Sequence, residues 1–226
     1  MRTKTAGHES FEMYLKTVAE LGYDLEPVSI QLIAERLGVT TVSTSEMVKR
    51  LVDQGFLEHE RYKGVVLTEE GRTIAYSVMR RQRLWECFLI EHLELNWAGV
   101  YEIACRLEHA TSAVLAEALA NYLEHPTVCP HGNPIPDSDG TMDLPDRVNL
   151  NALTLGQSAR IVSIEPTTTD VYAYLQARRL QPGQIVRLAD IAPLQGPMTL
   201  EVEETHIVLG RNLAELLLVQ PRATNR

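Results

Sequence analysis

The chain reads as mainly α with a small β part: an N-terminal winged helix-turn-helix, a helical middle layer and a small C-terminal β-barrel. Three observations predict this. Apolar residues recur at three and four through most of the first half, interrupted once by a short hairpin pattern. Five prolines then fall between His125 and Asp146 in a stretch without periodicity. After it come short runs rich in Val, Ile and Leu, punctuated by glycine and proline.

In chain order, Phe11, Tyr14, Leu15, Val18, Ala19 and Leu21 make the apolar face of a first helix, with Gly22 just past its end. Ser29 caps a second helix that runs to Leu37, with Ile30, Ile33, Ala34 and Leu37 inward and Gly38 as its stop. After a turn over 39–42, Ser43 or Thr44 is placed to cap a third helix that ends at Gln54-Gly55. Two short helices joined so tightly form either an ordinary helical hairpin or a helix-turn-helix, whose second helix can enter a DNA major groove. Phe56 to Glu60 and Val65 to Leu67 then read as strands joined by Arg61-Tyr62-Lys63-Gly64, and a hairpin at this point makes the unit winged. Arg61 and Lys63 at its tip are placed to meet phosphates, and Lys49 and Arg50 add charge near the third helix.

Thr68-Glu69-Glu70 opens a capped fourth helix that runs to about His92, and Trp97 to Leu123 reads as a second long helical stretch. Their broad apolar faces suit a dimerisation layer or a monomeric core. Beyond the prolines, Ser158 to Ile164, Gln184 to Leu188, Thr199 to Val202, His206 to Leu209 and Leu216 to Val219 give five short strands, interrupted by one helix from Asp170 to Arg179. The expected domains are residues 1–75, 76–145 and 146–226.

At 226 residues the chain is longer than a typical domain of about 100–150 residues. The N-terminus, MRTKTAGHES, is polar, and no segment approaches the roughly 18 consecutive apolar residues of a membrane span. A cytoplasmic protein with no membrane partner is expected. Cys87, Cys105 and Cys129 are irregularly spaced, which argues against a disulfide framework and leaves thiols available as ligands. A net charge of −9 disfavours indiscriminate coating of nucleic acid, although a DNA-binding face needs only a local basic patch.

Cys105-Arg106-Leu107-Glu108-His109 places a thiol, a carboxylate and an imidazole at spacings of three and four on one helix face, a geometry that can hold a metal and also occurs as solvated surface. His92 and His125, near helix C-termini, are better read as satisfying free carbonyls, and Cys87 as a small buried apolar residue.

Together with Glu12-Met13-Tyr14-Leu15, Ile33-Ala34-Glu35-Arg36-Leu37 and Val78-Met79-Arg80, that motif resembles the diphtheria toxin repressor family. Cys129-Pro130-His131-Gly132-Asn133-Pro134-Ile135-Pro136 resembles the linker of its manganese-responsive members. The likeness extends over most of the chain. It implies a metal-activated, homodimeric repressor of metal uptake that binds double-stranded DNA at a palindromic operator. Mn²⁺ or Fe²⁺ would be the co-repressor, with Co²⁺, Ni²⁺, Zn²⁺ or Cd²⁺ substituting in vitro. It further implies an SH3-like C-terminal domain of the ferrous-transport accessory type.

Carried over by position, Met13, Cys105, Glu108 and His109 match the primary metal site of the family's iron-responsive branch. Gln82 and Tyr101 stand where its iron-responsive branch has histidines, while Glu86, Cys129 and His131 resemble the second site of manganese regulators, with Asp170, or else Glu165, as the further ligand. Thr44, Ser45 and Glu46 are the candidates for base edges, and Ser43, Arg50, Arg61 and Lys63 for phosphates. Two rival expectations stand beside this one. The first is a winged-helix regulator answering to an organic ligand; the second is a metalloenzyme, for which the sequence offers no evident general base or nucleophile motif.

Overall fold

The computed structural model describes residues 3–22 and 26–222, with side chains in the first helix from Phe11 onward. The chain forms two compact units: Met1–Gln82 with Glu108–Ala118 and Pro136–Asp143, and Arg83–Leu107 with Leu119–Ile135 and Leu144–Arg226.

The first unit opens with α1 (Thr3–Leu21), α2 (Ile30–Leu37) and α3 (Thr41–Asp53). The Ser29 hydroxyl accepts from the Leu32 amide at 3.2 Å and starts α2. Gly38, at φ 65°, ends it in the left-handed conformation that glycine adopts without strain. The start of α3 departs from the sequence expectation: Thr40, not Ser43 or Thr44, is the cap, its hydroxyl accepting from the Ser43 amide at 3.2 Å. The turn between the two helices is correspondingly shorter, and residues 41–44 lie inside α3.

Strands β1 (Leu57–Glu60) and β2 (Gly64–Leu67) pair antiparallel as the expected wing. Val65 ties the wing back to the chain before α2, exchanging two backbone hydrogen bonds of 2.9 Å with Val28. Gly64 permits this close approach, since at φ 137° an added Cβ would lie 2.1 Å from the Val28 carbonyl oxygen. Leu15, Ile33, Leu51, Leu57, Val65 and Met79 are buried together beneath these elements.

Helix α4 (Glu69–Glu91) begins where the capped pattern places it, with the Thr68 hydroxyl accepting from the Gly71 amide. The long helix expected over 97–123 is instead two, α5 (Val100–Glu108) and α6 (Ala113–Tyr122). The break has a local cause: the Ser112 hydroxyl accepts from the Leu115 amide at 3.2 Å and restarts the helix as a cap. Glu108 therefore closes α5, and His109 lies in the following turn and not on the helix face.

In the second unit the strands form one antiparallel sheet, ordered β3 (Val148–Asn149), β8 (Leu217–Pro221), β4 (Ser158–Ile164), β5 (Ile185–Ile191), β6 (Met198–Val202) and β7 (Thr205–Leu209). Six strands replace the expected five because a two-residue strand leaves no readable apolar run. Register shifts in β4 and β5 bend the sheet around a core of Ile161, Val186, Leu188, Met198, Leu200 and Val219. Helix α7 (Thr169–Ala177) contributes Tyr172 and Leu175 to that core, and a short α8 (Arg211–Ala214) precedes β8. No helix among the described residues is long and apolar enough to cross a membrane.

Candidate functional site

Within the proline-rich segment that reads as a loop, residues 129–136 are largely buried and hydrogen-bonded. Its turn is closed by the Cys129 amide donating to Asn133 O at 2.9 Å and the Gly132 amide donating to Cys129 O at 2.8 Å. Gly132, at φ 83°, lies so near β4 that an added Cβ would fall 2.0 Å from Val162 O. The Asn133 amide group donates to Ile164 O at 2.8 Å, and the Ile164 amide donates to His131 O at 2.9 Å. These bonds seat the turn on the end of the strand.

Seated this way, Cys129 and His131 converge on Glu86 of α4. One donor atom from each lies within 4.8 Å of the others, and this is the one such group of His, Cys, Asp or Glu among the described residues. All three are buried, at 2% exposure for Glu86, 4% for Cys129 and 0% for His131. The ring of His131 is fixed from both sides. Its Nε2 faces Trp97 O at 3.1 Å, an oxygen that only accepts, so this nitrogen donates; Nδ1 faces Glu86 Oε2 at 3.0 Å and, where it carries a proton, donates to that carboxylate. The rings of Tyr172 and Trp97 pack on it at 4.2 and 4.7 Å between centroids, and the Trp97 indole N–H donates to Pro130 O at 2.9 Å.

Burial alone would raise the Glu86 carboxyl. The facing His131, hydrogen bonds from His131 and the Cys129 thiol, and the Arg83 guanidinium outweigh it and hold the group below its ordinary value. Burial drives the Cys129 thiol well above its ordinary range, and the Glu86 carboxylate adds to this. A carboxylate, a sulfur and an imidazole nitrogen held by a second layer of hydrogen bonds form a donor set that fits a transition-metal dication. Asp170 does not join them: it is exposed in the first turn of α7, a placement set by the helix starting at Thr169. Glu165 also lies outside the group.

The other expected site has a different occupant. Glu108 is 0% exposed, and both of its carboxylate oxygens accept from Lys16 Nζ of α1 at 3.2 Å. Lys16 is itself 1% exposed. Burial, opposed by Lys16 and Arg81 and assisted by Glu20, raises the Glu108 carboxyl to about 7. His109 Nε2 is 3.9 Å from Glu108 Oε1, while its Nδ1 is buried with no hydrogen-bond partner. Met13 is half-buried on α1, and Cys105 stands one turn before Glu108 on α5.

On α3, Thr44 does not reach outward as expected. It is 0% exposed, and its hydroxyl donates to Thr40 O at 3.0 Å; it shares the inner face of α3 with Val48 and Leu51, four and seven residues on. Ser43, Ser45, Glu46, Lys49 and Arg50 are exposed, and so is Val42, an apolar surface position that the later helix start concealed. On the wing Arg61 and Lys63 are exposed, with Lys63 Nζ 3.2 Å from Glu60. Sequence reasoning missed Lys16, Trp97 and Tyr172. No spacing rule marks a lysine in an amphipathic helix as buried, and the aromatics lie far from His131 in sequence.

Three family profiles match in succession. Residues 8–65 match an iron dependent repressor N-terminal DNA binding domain, residues 68–137 an iron dependent repressor metal binding and dimerisation domain, and residues 148–221 a FeoA domain. The chain is 30% identical over 226 residues to the diphtheria toxin repressor of Corynebacterium diphtheriae, covering 95% of this chain and 94% of that protein. It is 39% identical over 132 residues to the iron-dependent repressor IdeR of Mycobacterium tuberculosis, a match that spans 57% of this chain and 56% of that protein. Among solved structures, a manganese-dependent transcriptional repressor in complex with manganese superposes at a TM-score of 0.84, with 28% identity over 94% of this chain and 100% of that one. ScaR with bound Zn²⁺ superposes at 0.81, with 28% identity over 93% of this chain and 98% of that one.

Proposed function

The chain belongs to the diphtheria toxin repressor family, and on that premise we propose that it is a metal-dependent DNA-binding transcriptional repressor of metal-uptake genes. In this reading it acts in the cytoplasm as a homodimer on a palindromic operator, with Mn²⁺ or Fe²⁺ as co-repressor. The observation that carries it is the buried convergence of Glu86, Cys129 and His131 in a chain that also has a winged helix-turn-helix.

Two metal positions are proposed. The first takes Met13, Cys105, Glu108 and His109; the second takes Glu86, Cys129 and His131, with solvent or a further group completing the shell. Bound there, a dication would supply the positive charge that lets three buried donors share one space. Glu86 contributes an oxygen that stays ionised, His131 presents Nδ1 because its other nitrogen is committed to Trp97 O, and the Cys129 thiol gives up its proton on ligation. The ordered arrangement, having its donors converged, binds the ion better than a loosened one, so its population rises with metal. That form is the one whose paired recognition helices fit successive major grooves. Ser45 and Glu46 are proposed at base edges, and Ser43, Arg50, Arg61 and Lys63 at phosphates.

A second reading, a winged-helix regulator answering to an organic ligand, is favoured by an open cleft of about 630 Å³ in the first unit, lined by Phe11, Gln54, Phe56, Ile74 and Arg81. Stripping the protein with a chelator separates the two. On the metal reading, specific DNA binding is lost and returns with Mn²⁺ or Fe²⁺; binding that persists in chelator overturns it. For the first metal position, His109→Ala is expected to abolish metal-dependent DNA binding with helical circular dichroism unchanged, and a full metal response in that variant removes the assignment.

A further inference from the structure

We infer that Lys16 is an internal cation that competes with the metal ion for Glu108 and so sets the metal concentration at which the first position fills. The inference rests on Glu108 and His109 serving as ligands there, as proposed above, and goes beyond it in assigning a role to a residue outside the ligand set.

Lys16 reaches Glu108 from another helix, and its ammonium lies at equal distances of 3.2 Å from the two carboxylate oxygens. At 1% and 0% exposure neither group can turn to bulk water without a local opening. A dication taking an oxygen of Glu108 would share a carboxylate whose two oxygens both accept from Lys16. It would also place two positive charges within a few ångströms of an ammonium in a medium that screens poorly. The two cations would therefore compete for Glu108, and a bound ion would weaken or displace the Lys16 contact. Around the pair, Glu20 adds negative charge and Arg81 positive charge, the latter paired with Glu12 at 3.4 Å. His109 is placed for the exchange: with Nε2 3.9 Å from Glu108 and Nδ1 buried without a hydrogen-bond partner, its ring has a nitrogen not committed elsewhere. Lys16 thus bridges α1 to the end of α5, and a bound ion would exchange that bridge for coordination.

The test is titration of Mn²⁺ into chelator-stripped full-length protein, with free ion counted by electron paramagnetic resonance, for the wild type, Lys16→Met and Lys16→Arg. Releasing a buried carboxylate from a charged donor should tighten the first position on the order of tenfold to a hundredfold in Lys16→Met, with no gain in Lys16→Arg, which keeps the charge. Affinity that is unchanged or weaker in Lys16→Met, or equally tightened in Lys16→Arg, overturns the competition. Should stripped Lys16→Met fail to fold, the readout becomes recovery of helical circular dichroism. Recovery at lower Mn²⁺ than fills the wild-type first position supports the proposal, and no recovery overturns it. His109→Ala in both backgrounds separates the two layers. If it removes an ion from the wild type while Lys16→Met changes nothing, only the role of Lys16 fails; if it removes no ion from either, the first position itself fails.

Discussion

Glu86 and Glu108 are both carboxylates with almost no exposure, one in each unit, and their surroundings push them in opposite directions. Burial acts on each with the same sign. At Glu86 it is outweighed by His131, the Cys129 thiol and Arg83, and the group stays below its ordinary value. At Glu108, Lys16 and Arg81 do not offset burial and Glu20, and the group rises to about 7. The contrast lies in what shares the pocket. Glu86 faces groups that can become ligands with it, whereas Glu108 faces a cation that cannot. A buried carboxylate near a histidine is thus not one kind of site: the first kind is assembled in advance, and the second has to exchange a partner.

The largest expected effect follows from removing a ligand at the assembled site. His131→Ala takes away one of three convergent donors and the ring against which Tyr172 and Trp97 pack. Loss of a mere supporting hydrogen bond typically costs ten- to a hundredfold in metal affinity, so loss of the ligand should cost more than about a hundredfold. Calorimetric Mn²⁺ titration should show one position lost and the other retained. Loss of both would show that the two carboxylates do not belong to independent sites.

The next effect is a pH dependence of opposite sign at the two groups. Glu108, at about 7 against an ordinary 4.5, keeps a proton in the folded chain that the unfolded chain releases across that interval. Metal-free stability therefore falls as pH rises from the lower value to the higher, by up to about 3 kcal/mol, and then levels. Glu86 runs the other way: its contribution is present above the unfolded carboxylate range and is lost as pH falls through its lowered folded value. Urea denaturation of Glu108→Gln in chelator should lose the decline between about pH 5 and pH 7. An undiminished decline would mean that another group carries it and that Glu108 is ionised throughout.

The fold was largely legible because it rests on local signals. The Ser29 cap, the Gly38 stop and the wing hairpin each act over a few residues, and each stands where its residues place it. Where local signals competed, the reading slipped. Thr40 starts α3 ahead of Ser43 and Thr44, Thr44 lies on the buried face with Val48 and Leu51, and Ser112 divides a stretch that reads as one helix. The cluster of Glu86, Cys129 and His131 was reached through a family resemblance, since nothing local joins positions 45 residues apart. The engagement of Glu108 by Lys16, 92 residues away, had no such guide. Asp170 was misplaced for a related reason: a first-turn acid is as readily accounted for by the helix dipole as by a metal.

The smallest effect tests whether the assembled site depends on its supports. The Trp97 indole donates to Pro130 O at 2.9 Å, between two ligand-bearing positions, while its own carbonyl accepts from His131. Trp97→Phe keeps a ring against His131 and keeps the carbonyl, so it deletes one hydrogen bond from the turn and little else. Mn²⁺ affinity at the Glu86 position should fall by about tenfold or less, the lower end of what supporting bonds are worth. Affinity at the Glu108 position should not move, because its charge balance is set by Lys16, Glu20 and Arg81. An equal fall at both positions would mean that the turn carrying Cys129 and His131 also governs Glu108, and the distinction between an assembled site and an exchanging one would collapse.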